Sequence, residues 1–365
     1  MQYAIVTLLL ASLCLADEPQ DRTFAQWDKN GDGRLVRGEL PPFAQRNFDR
    51  VDTDKDGFIS RDEHRAFLNR PRPSTRPASD KIELKQNLSY AANDNPRQAI
   101  DLYLPKKRTV GGKLPLIAWI HGGAWRAGSR RAGLNRVRRF VESGKYVGAS
   151  IGYRLTGEAI WPAQIHDCKA AIRWLKANAD RYGYDADRIC VYGSSAGGHL
   201  VAMLGTTGNV KELEGSLGNH PDQSSSVAGV IDLFGPTNFL TMNDFPSRID
   251  HDASDSPESI LVGKPIQTAP ERCANASPIH WASRDDAPIL IMHGTADKLV
   301  AFDQSVQLHR TLTTLNVPVW LVPVQDGGHG FGGTQVDGRI DAFLQKIILG
   351  RSNTKIDETA VRSEQ

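Results

Sequence analysis

The stretch RICVYGSSAGGHLVAML, residues 188–204, joins a short apolar run to a pattern of helical spacing through a turn built almost wholly of glycine, serine and alanine. Ile189, Cys190, Val191 and Tyr192 have the length and β-branched or aromatic content of a buried strand. Gly193 and Gly197 bracket Ser195, each two residues away. A sharp strand-to-helix turn holds its central residue in strained backbone geometry, and the residues two before and two after it must lack side chains for the chain to double back. Ser194 is out of this register, because Tyr192 stands where a glycine is needed. Ser195 is therefore the serine whose hydroxyl the turn presents above the end of a sheet.

Working outward, PLIAWI (115–120), YVGASI (146–151), VAGVIDLF (227–234), APILIMHG (287–294) and VPVWLVPV (317–324) are further runs of strand length. Helical patterns lie between them, such as PAQIHDCKAAIRWLKANADRYG (162–183), which opens on Pro162 and closes on Gly183. Near-continuously apolar strands alternating with helices predict an α/β fold over residues 81–349, with a doubly wound, mostly parallel sheet covered on both faces. In such sheets the chemistry collects at the carboxyl ends of the strands.

Three of those ends carry polar motifs. A serine hydroxyl is a weak nucleophile until an imidazole takes its proton and a carboxylate orients the ring. His329, in QDGGHG just beyond run 317–324, has glycines on both sides, and Asp297 ends run 287–294 within HGTAD. Asp326 is an alternative acid, although it would have to reach back from the imidazole's own loop. His121 and His293 also stand at strand ends, and His293 reads as a structural hydrogen-bonding residue. HGGAW (121–125) follows run 115–120; Gly122 and Gly123 have no side chains to keep their N–H groups from a substrate carbonyl, and the N–H of Ala196 joins them.

HGGAW, GSSAGGH, HGTAD and GGHG together resemble the α/β-hydrolase superfamily across 81–349, and within it the hormone-sensitive-lipase-like and feruloyl or acetylxylan esterase-like branch. The resemblance implies a serine carboxylesterase for short acyl esters, with acetyl or feruloyl esters of polysaccharides as expected substrates. It assigns Ser195 as nucleophile, His329 as general acid and base, Asp297 as orienting acid, and Gly122, Gly123 and Ala196 as oxyanion donors. Ala124 departs from the pattern where many members have a third glycine, which bears on the shape of the acyl pocket. Two other readings stand beside this one. A serine peptidase of the prolyl-oligopeptidase type shares HGTAD, but the chain is short for it and has Ala196 after the nucleophile. A non-catalytic calcium-dependent binding protein on a hydrolase scaffold is opposed by the complete set of three residues.

The N-terminal region carries a repeat. DKNGDGRLVRGE (28–39) and DTDKDGFISRDE (52–63) both place oxygen-bearing side chains at positions 1, 3 and 5, glycine at 6, an aliphatic residue at 8 and glutamate at 12. A hard cation such as Ca²⁺ takes several oxygens at about 2.3–2.6 Å, the glycine permits the turn and the final glutamate closes the sphere. The expected ligands are Asp28, Asn30, Asp32 and Glu39 in the first loop and Asp52, Asp54, Asp56 and Glu63 in the second. This repeat resembles the EF-hand family, which adds the backbone carbonyls of Arg34 and Phe58. The loops start so close together that the single helix expected over PPFAQRNFDRV must serve both, as in a structural Ca²⁺ module covering residues 20–69.

Composition bounds the rest. The 365 residues carry 44 Lys and Arg against 42 Asp and Glu, a net charge of +2 that points to neither nucleic acid nor a membrane surface as partner. Residues 1–16 form an apolar run too short to span a bilayer, read as a signal peptide for a secreted or periplasmic protein. RPRPSTRPASD (70–80) reads as an extended linker, and 350–365 as a polar tail. Past the leader, Cys168, Cys190 and Cys273 are an odd number, so no disulfide framework follows. The segment 238–286 interrupts the strand pattern and is expected to overhang the site. Trp125, Trp161 and Trp281 are either core residues or pocket walls. The six arginines within 125–140 read as a solvated helix face or as a surface for acidic partners.

Overall fold

A computed structural model describes residues 19–45, 47–69 and 79–364. The expected leader at 1–16 and nearly all of the 70–80 linker lie outside the described residues. Two compact units divide near residue 74.

The first unit contains α1 (Pro19–Trp27), β1 (Arg34–Leu35), α2 (Pro42–Gln45), α3 (Phe48–Val51), β2 (Ile59–Ser60) and α4 (Arg61–Asn69). The helix expected over PPFAQRNFDRV is instead two short pieces, α2 and α3. β1 and β2 pair antiparallel with Leu35 opposite Ile59, so the aliphatic residue of each loop meets its counterpart. Those two side chains join Phe24, Leu40, Phe48 and Val51 in a small buried core.

In the second unit β3 (Ile82–Ser89) pairs antiparallel with β4 (Ala99–Pro105). Then come β5 (Leu114–Ile120), α5 (Gly133–Glu142), β6 (Val147–Ile151), α6 (Ala163–Ala177), α7 (Ala179–Tyr182), β7 (Tyr184–Ser194), α8 (Ala196–Thr206) and β8 (Gly229–Leu233). Short helices α9 (Pro257–Val262), α10 (Pro270–Asn275) and α11 (Pro278–Trp281) precede β9 (Ile289–Gly294), α12 (Phe302–Thr314), β10 (Val319–Gln325), α13 (Thr334–Phe343) and β11 (Val361–Arg362). One nine-stranded sheet has the order β11-β10-β9-β8-β7-β5-β6-β4-β3, parallel from β11 through β6.

The sheet is covered on both faces. Along β5, Leu116, Ala118 and Ile120 join the cluster containing Ile165 and Ile172 of α6, Leu200 and Leu204 of α8 and Leu308 of α12. Ile117 and Trp119 point the other way, to Val137 and Phe140 of α5 and Ile340 and Phe343 of α13. Burying each Leu or Ile side chain of this kind contributes about 1.5–3 kcal/mol. The fold class is therefore the doubly wound α/β sheet that the apolar runs predicted.

Several differences have physical causes. The helix expected over 162–183 breaks at Asn178 and ends on Gly183, whose φ of 74° is a left-handed stop. β3 escaped notice because it is an edge strand with a mostly wetted side-chain pattern. β4 is buried but interrupted by Asp101, whose carboxylate is neutralised by the buried Arg130 at 3.1 Å. Arg130 is thus no part of a solvated helix face. Among its neighbours in the run, Arg139 pairs with Asp341 at 2.7 Å. The polar tail is also corrected: Ile356 and Val361 are buried against the sheet and Val361 pairs with Val324, adding β11 beside β10. Two apolar residues in a polar stretch are enough to dock it. Among the described residues no helix is long and apolar enough to cross a membrane.

Candidate active site

Ser195 lies between the last residue of β7 and the first of α8 with φ 56° and ψ −125°. Such geometry costs a non-glycine residue about 1–3 kcal/mol, so the surroundings must impose it. A side chain at Gly193 would strike the carbonyl of Gly197, and one at Gly197 would strike that of Ile120. Both glycines are thus required by backbone packed against backbone. The Ser195 N–H donates to the Leu233 carbonyl at 2.9 Å, tying the turn to the end of β8.

The structure brings Ser195, His329 and Asp297 together. His329 Nε2 is 2.9 Å from Ser195 Oγ, and His329 Nδ1 is 2.7 Å from Asp297 Oδ2. Asp297 is buried, and Oδ1 accepts from the N–H groups of Leu299 (2.8 Å) and Val300 (3.2 Å). Burial alone would raise its pKa, but hydrogen bonds from His293, His329 and the Leu299 N–H outweigh it and hold the carboxyl well below the ordinary range. His293 Nε2 stands 3.2 Å from Asp297 Oδ2 and its Nδ1 2.7 Å from Ser305 Oγ, a bracing position. Asp326 is exposed and does not meet His329; its N–H donates to Thr295 Oγ1. Phe234 packs edge-on against the His329 ring at 4.7 Å between centroids.

The HGGAW loop also lies beside the turn. Gly122 is pressed against it, since a side chain there would begin 2.6 Å from the Ser194 carbonyl oxygen. Gly123, Ala124 and Trp125 have φ of 115°, 53° and 55°, a left-handed run that only strong tethers maintain. Those tethers are the Arg126 and Ala127 N–H groups on the Gly123 carbonyl, the Thr156 N–H on the Trp125 carbonyl, and Trp125 Nε1 on His199 Nδ1 at 3.1 Å. His199 Nε2 in turn lies 2.6 Å from the Ala276 carbonyl. Burial lowers the His199 pKa to about 4, so this ring is neutral, with the proton on Nε2. Burial likewise lowers that of His121, stacked on Tyr153, to about 4.

Among the described residues the N–H groups of Gly123, Ala124 and Ala196 have no protein acceptor. Ala124 and Ala196 line a cavity of about 80 Å³ together with Trp125, Ser195 and His329. Of the three expected donors Ala196 is in that lining, whereas Gly122 and Gly123 are not, and their neighbour Ala124 is. Trp125 is a cavity wall, whereas Trp161 and Trp281 bond to Asn275 away from it. The 238–286 segment supplies Ile249, His251, Pro257 and Glu258 to the same lining.

In the N-terminal unit both acidic loops have the turn that a cation requires: Gly33 and Gly57 have φ of 80° and 87°. Their N–H groups donate to Asp28 Oδ2 and Asp52 Oδ2, at 3.0 and 3.1 Å. The other oxygens, Asp28 Oδ1 and Asp52 Oδ1, are sealed from solvent without a partner. Asp52, Asp54 and Glu63 offer oxygens within 4.8 Å of one another. Buried carboxylate oxygens with no donor and a converging acidic set are the chemistry of a hard-cation site. Asn30 and Asp32 occupy the equivalent places in the first loop, with the Asp32 N–H on Asn30 Oδ1 and the Arg34 N–H on Asp32 Oδ1. Asp56 Oδ1 likewise accepts from the Phe58 N–H. Glu39 and Glu63 fold back on their own loops, onto the N–H groups of Val36 and Ser60.

Residues 100–312, more than half of the chain, match the BD-FAE family. The chain belongs to the BD-FAE family. Residues 46–68, around the second acidic loop, match the EF hand. Esterase LipC of Mycobacterium tuberculosis is 32% identical over 240 residues, covering 65% of this chain and 58% of LipC. The chain spans 46% of a second relative from that organism, the probable carboxylic ester hydrolase LipM. A solved structure described as a truncated carbohydrate esterase from gut microbiota is 34% identical, with a TM-score of 0.70, and covers 75% of this chain and 100% of that one. A thermophilic esterase from the planctomycete Thermogutta terrifontis, with propionate bound, shares the fold at 24% identity and a TM-score of 0.58, covering 73% of this chain and 95% of its own.

Within this BD-FAE unit, sequence reasoning expected Ala124 to shape the pocket but missed its N–H as a candidate donor, His199 as the anchor of Trp125, and the pair His251 and Glu258. The paired signals HGGAW and GSSAGGH contained both partners of the Trp125–His199 contact, Trp125 two residues beyond Gly123 and His199 one beyond Gly198. Asp232 was missed as well. It lies buried at the end of β8, Oδ1 accepts from the Gly235 N–H at 2.9 Å, and burial pushes its pKa up to about 7.

Proposed function

We propose that this chain is a serine carboxylesterase that removes short acyl groups, acetyl above all, from hydroxylated compounds such as acylated polysaccharides. The observation that carries this is the continuous hydrogen-bonded line from Asp297 through His329 to Ser195 Oγ, ending in a small cavity with free backbone N–H groups. Ser195 Oγ attacks the ester carbonyl as His329 Nε2 takes the hydroxyl proton, and Asp297 stabilises the imidazolium. Negative charge on the former carbonyl oxygen is met by the N–H groups of Ala124 and Ala196, which line the cavity, worth about 3–4 kcal/mol per donor in comparable sites. Collapse expels the alcohol, which leaves with the proton from His329. Water, deprotonated by the same nitrogen, then releases the acid and restores Ser195.

The cavity's volume supports acetyl rather than feruloyl as the group held there: at about 10–15 Å³ of such space per water, about 80 Å³ takes roughly five to eight water-sized groups. Membership of a family with esterase relatives supports the reaction class. In this reading the acidic loops hold Ca²⁺ structurally and residues 1–16 are a signal peptide. Hydrolysis of p-nitrophenyl acetate by the wild type, reduced by at least about 10³-fold in Ser195→Ala at unchanged melting temperature, is the expected result. Hydrolysis that persists in Ser195→Ala would refute it. Protein recovered from outside the cell should begin just after Ala16.

A further inference from the structure

The Ser195 cavity is not wholly apolar. Beside Pro236, Ile249 and Leu299 it is lined by His251 and Glu258, two polar residues of the 238–286 segment. Both are almost fully buried, at 1% and 2% exposure. His251 Nδ1 is 2.9 Å from Glu258 Oε2, while His251 Nε2 is 3.1 Å from the Leu299 carbonyl and 3.2 Å from Ser247 Oγ. A carboxylate on one ring nitrogen and a carbonyl on the other both require a donor. The ring therefore carries both protons, and the two side chains form a cation–anion pair without net charge. The hydrogen bond and charge of Glu258 overcome the effect of burial and raise the His251 pKa above its ordinary value.

This pairing commits one of the two Glu258 oxygens. Oε1 has no hydrogen-bond partner among the described residues, yet it is not sealed like Asp28 Oδ1 and Asp52 Oδ1. It retains accessible surface, and Glu258 lines the cavity that holds the nucleophile. A buried carboxylate oxygen is an acceptor only, so whatever occupies that space is favoured if it offers a donor.

We propose that Glu258, fixed by His251, is a specificity-determining residue whose Oε1 accepts a hydrogen bond from a hydroxyl group carried close to the ester carbonyl. The proposal rests on the esterase reading above and narrows its substrate class to hydroxylated esters. A neutral hydroxyl suits a pair that has no net charge. A carboxylate in the same place would face an acceptor and be rejected. Because Glu258 and Ser195 line the same cavity, the hydroxyl has to lie within a few bonds of the carbonyl. It can belong to the alcohol, next to the acylated oxygen as on a sugar ring, or to the acyl chain.

Matched substrates separate these sources. Ethylene glycol monoacetate against ethyl acetate tests the alcohol side, and ethyl glycolate against ethyl acetate tests the acyl side, each rate divided by that of alkaline hydrolysis. For the full-length wild type one of the two ratios of kcat/KM is expected to favour the hydroxylated ester by roughly 10–150-fold, the worth of a hydrogen bond to a charged group. Glu258→Gln, which keeps the shape but removes the charge, should lower that ratio about tenfold, and Glu258→Asp should also lower it because the carboxylate withdraws by one methylene. A role in folding alone would lower both members of the pair equally. Wild-type ratios near one on both sides overturn the proposal without any variant having to fold, and so does a ratio that survives Glu258→Gln. Absence of hydrolysis of every ester, by folded wild type, would instead overturn the esterase reading.

Discussion

Replacing His199 by leucine should disable the site from beneath without touching the three residues in line. His199 Nδ1 accepts from Trp125 Nε1 at 3.1 Å and Nε2 donates to the Ala276 carbonyl at 2.6 Å, both out of contact with water. Leucine fills similar space but leaves a donor and an acceptor unpaired, at about 1–3 kcal/mol each, so a loss of about 2–6 kcal/mol in stability is expected. The effect on rate comes by another route. Trp125 and Ala124 are held at φ of 55° and 53°, which stores about 1–3 kcal/mol apiece. With the indole untied, that backbone relaxes and the Ala124 N–H moves away from the cavity. A shift on the order of 1 Å costs on the order of 100-fold, so kcat for p-nitrophenyl acetate should fall about 10–100-fold while KM changes little. Asparagine at 199 can still accept from the Trp125 N–H, and should keep more of the turnover than leucine while losing stability in urea. A folded His199→Leu protein with the wild-type kcat would refute the claim that this imidazole positions the loop.

Acid should weaken the fold through its buried imidazoles, an effect offset in part by Asp232, whose pKa burial pushes up to about 7 and which therefore favours the folded state as pH falls. His121 and His199 have pKa values lowered by burial to about 4 from 6.5, so between those values the unfolded chain binds protons that the folded chain refuses. Stability is whole above pH 6.5 and falls toward pH 4, by about 3 kcal/mol per imidazole at about 1.4 kcal/mol per pH unit; urea midpoints at pH 7 and 4.5, with His199→Asn losing part of the difference, check this. Gly197→Ala forces a side chain into the Ile120 carbonyl and should cost at least about 3 kcal/mol or prevent folding. An alanine variant that folds with normal turnover would show that the turn is not packed as described. Chelation of Ca²⁺ should lower the calorimetric transition of residues 19–69 and leave esterase turnover nearly intact. Loss of turnover with that transition unmoved would contradict a structural role for the acidic loops.

Much of the molecule was legible in its sequence because local rules and global packing agreed there. Every parallel strand from β5 to β10 announced itself as an apolar run, since a strand buried on both faces, as β5, β6, β8 and β9 are, has no polar side to disguise it. The turn at Ser195 was readable for the opposite reason: its glycines answer to backbone contacts that admit no side chain. What stayed hidden was set by long-range pairing. Asp101 made β4 look unlike a strand until Arg130 was found beside it. His251 and Glu258 stand in a polar segment without periodicity, and nothing local tells that they meet each other 2.9 Å apart at the nucleophile's cavity. The docking of Ile356 and Val361 was invisible because two apolar residues in a polar stretch leave no pattern.

The contacts among Gly193, Gly197 and the Ile120 carbonyl separate the molecule into an anvil and an interchangeable rim. The backbone of the turn at Ser195 is held by main-chain contacts, while residues 249–258 furnish a separate wall of the cavity. On the esterase reading proposed above, selectivity can therefore drift, or be redesigned, by exchanging that rim while Ser195 stays where the sheet has put it.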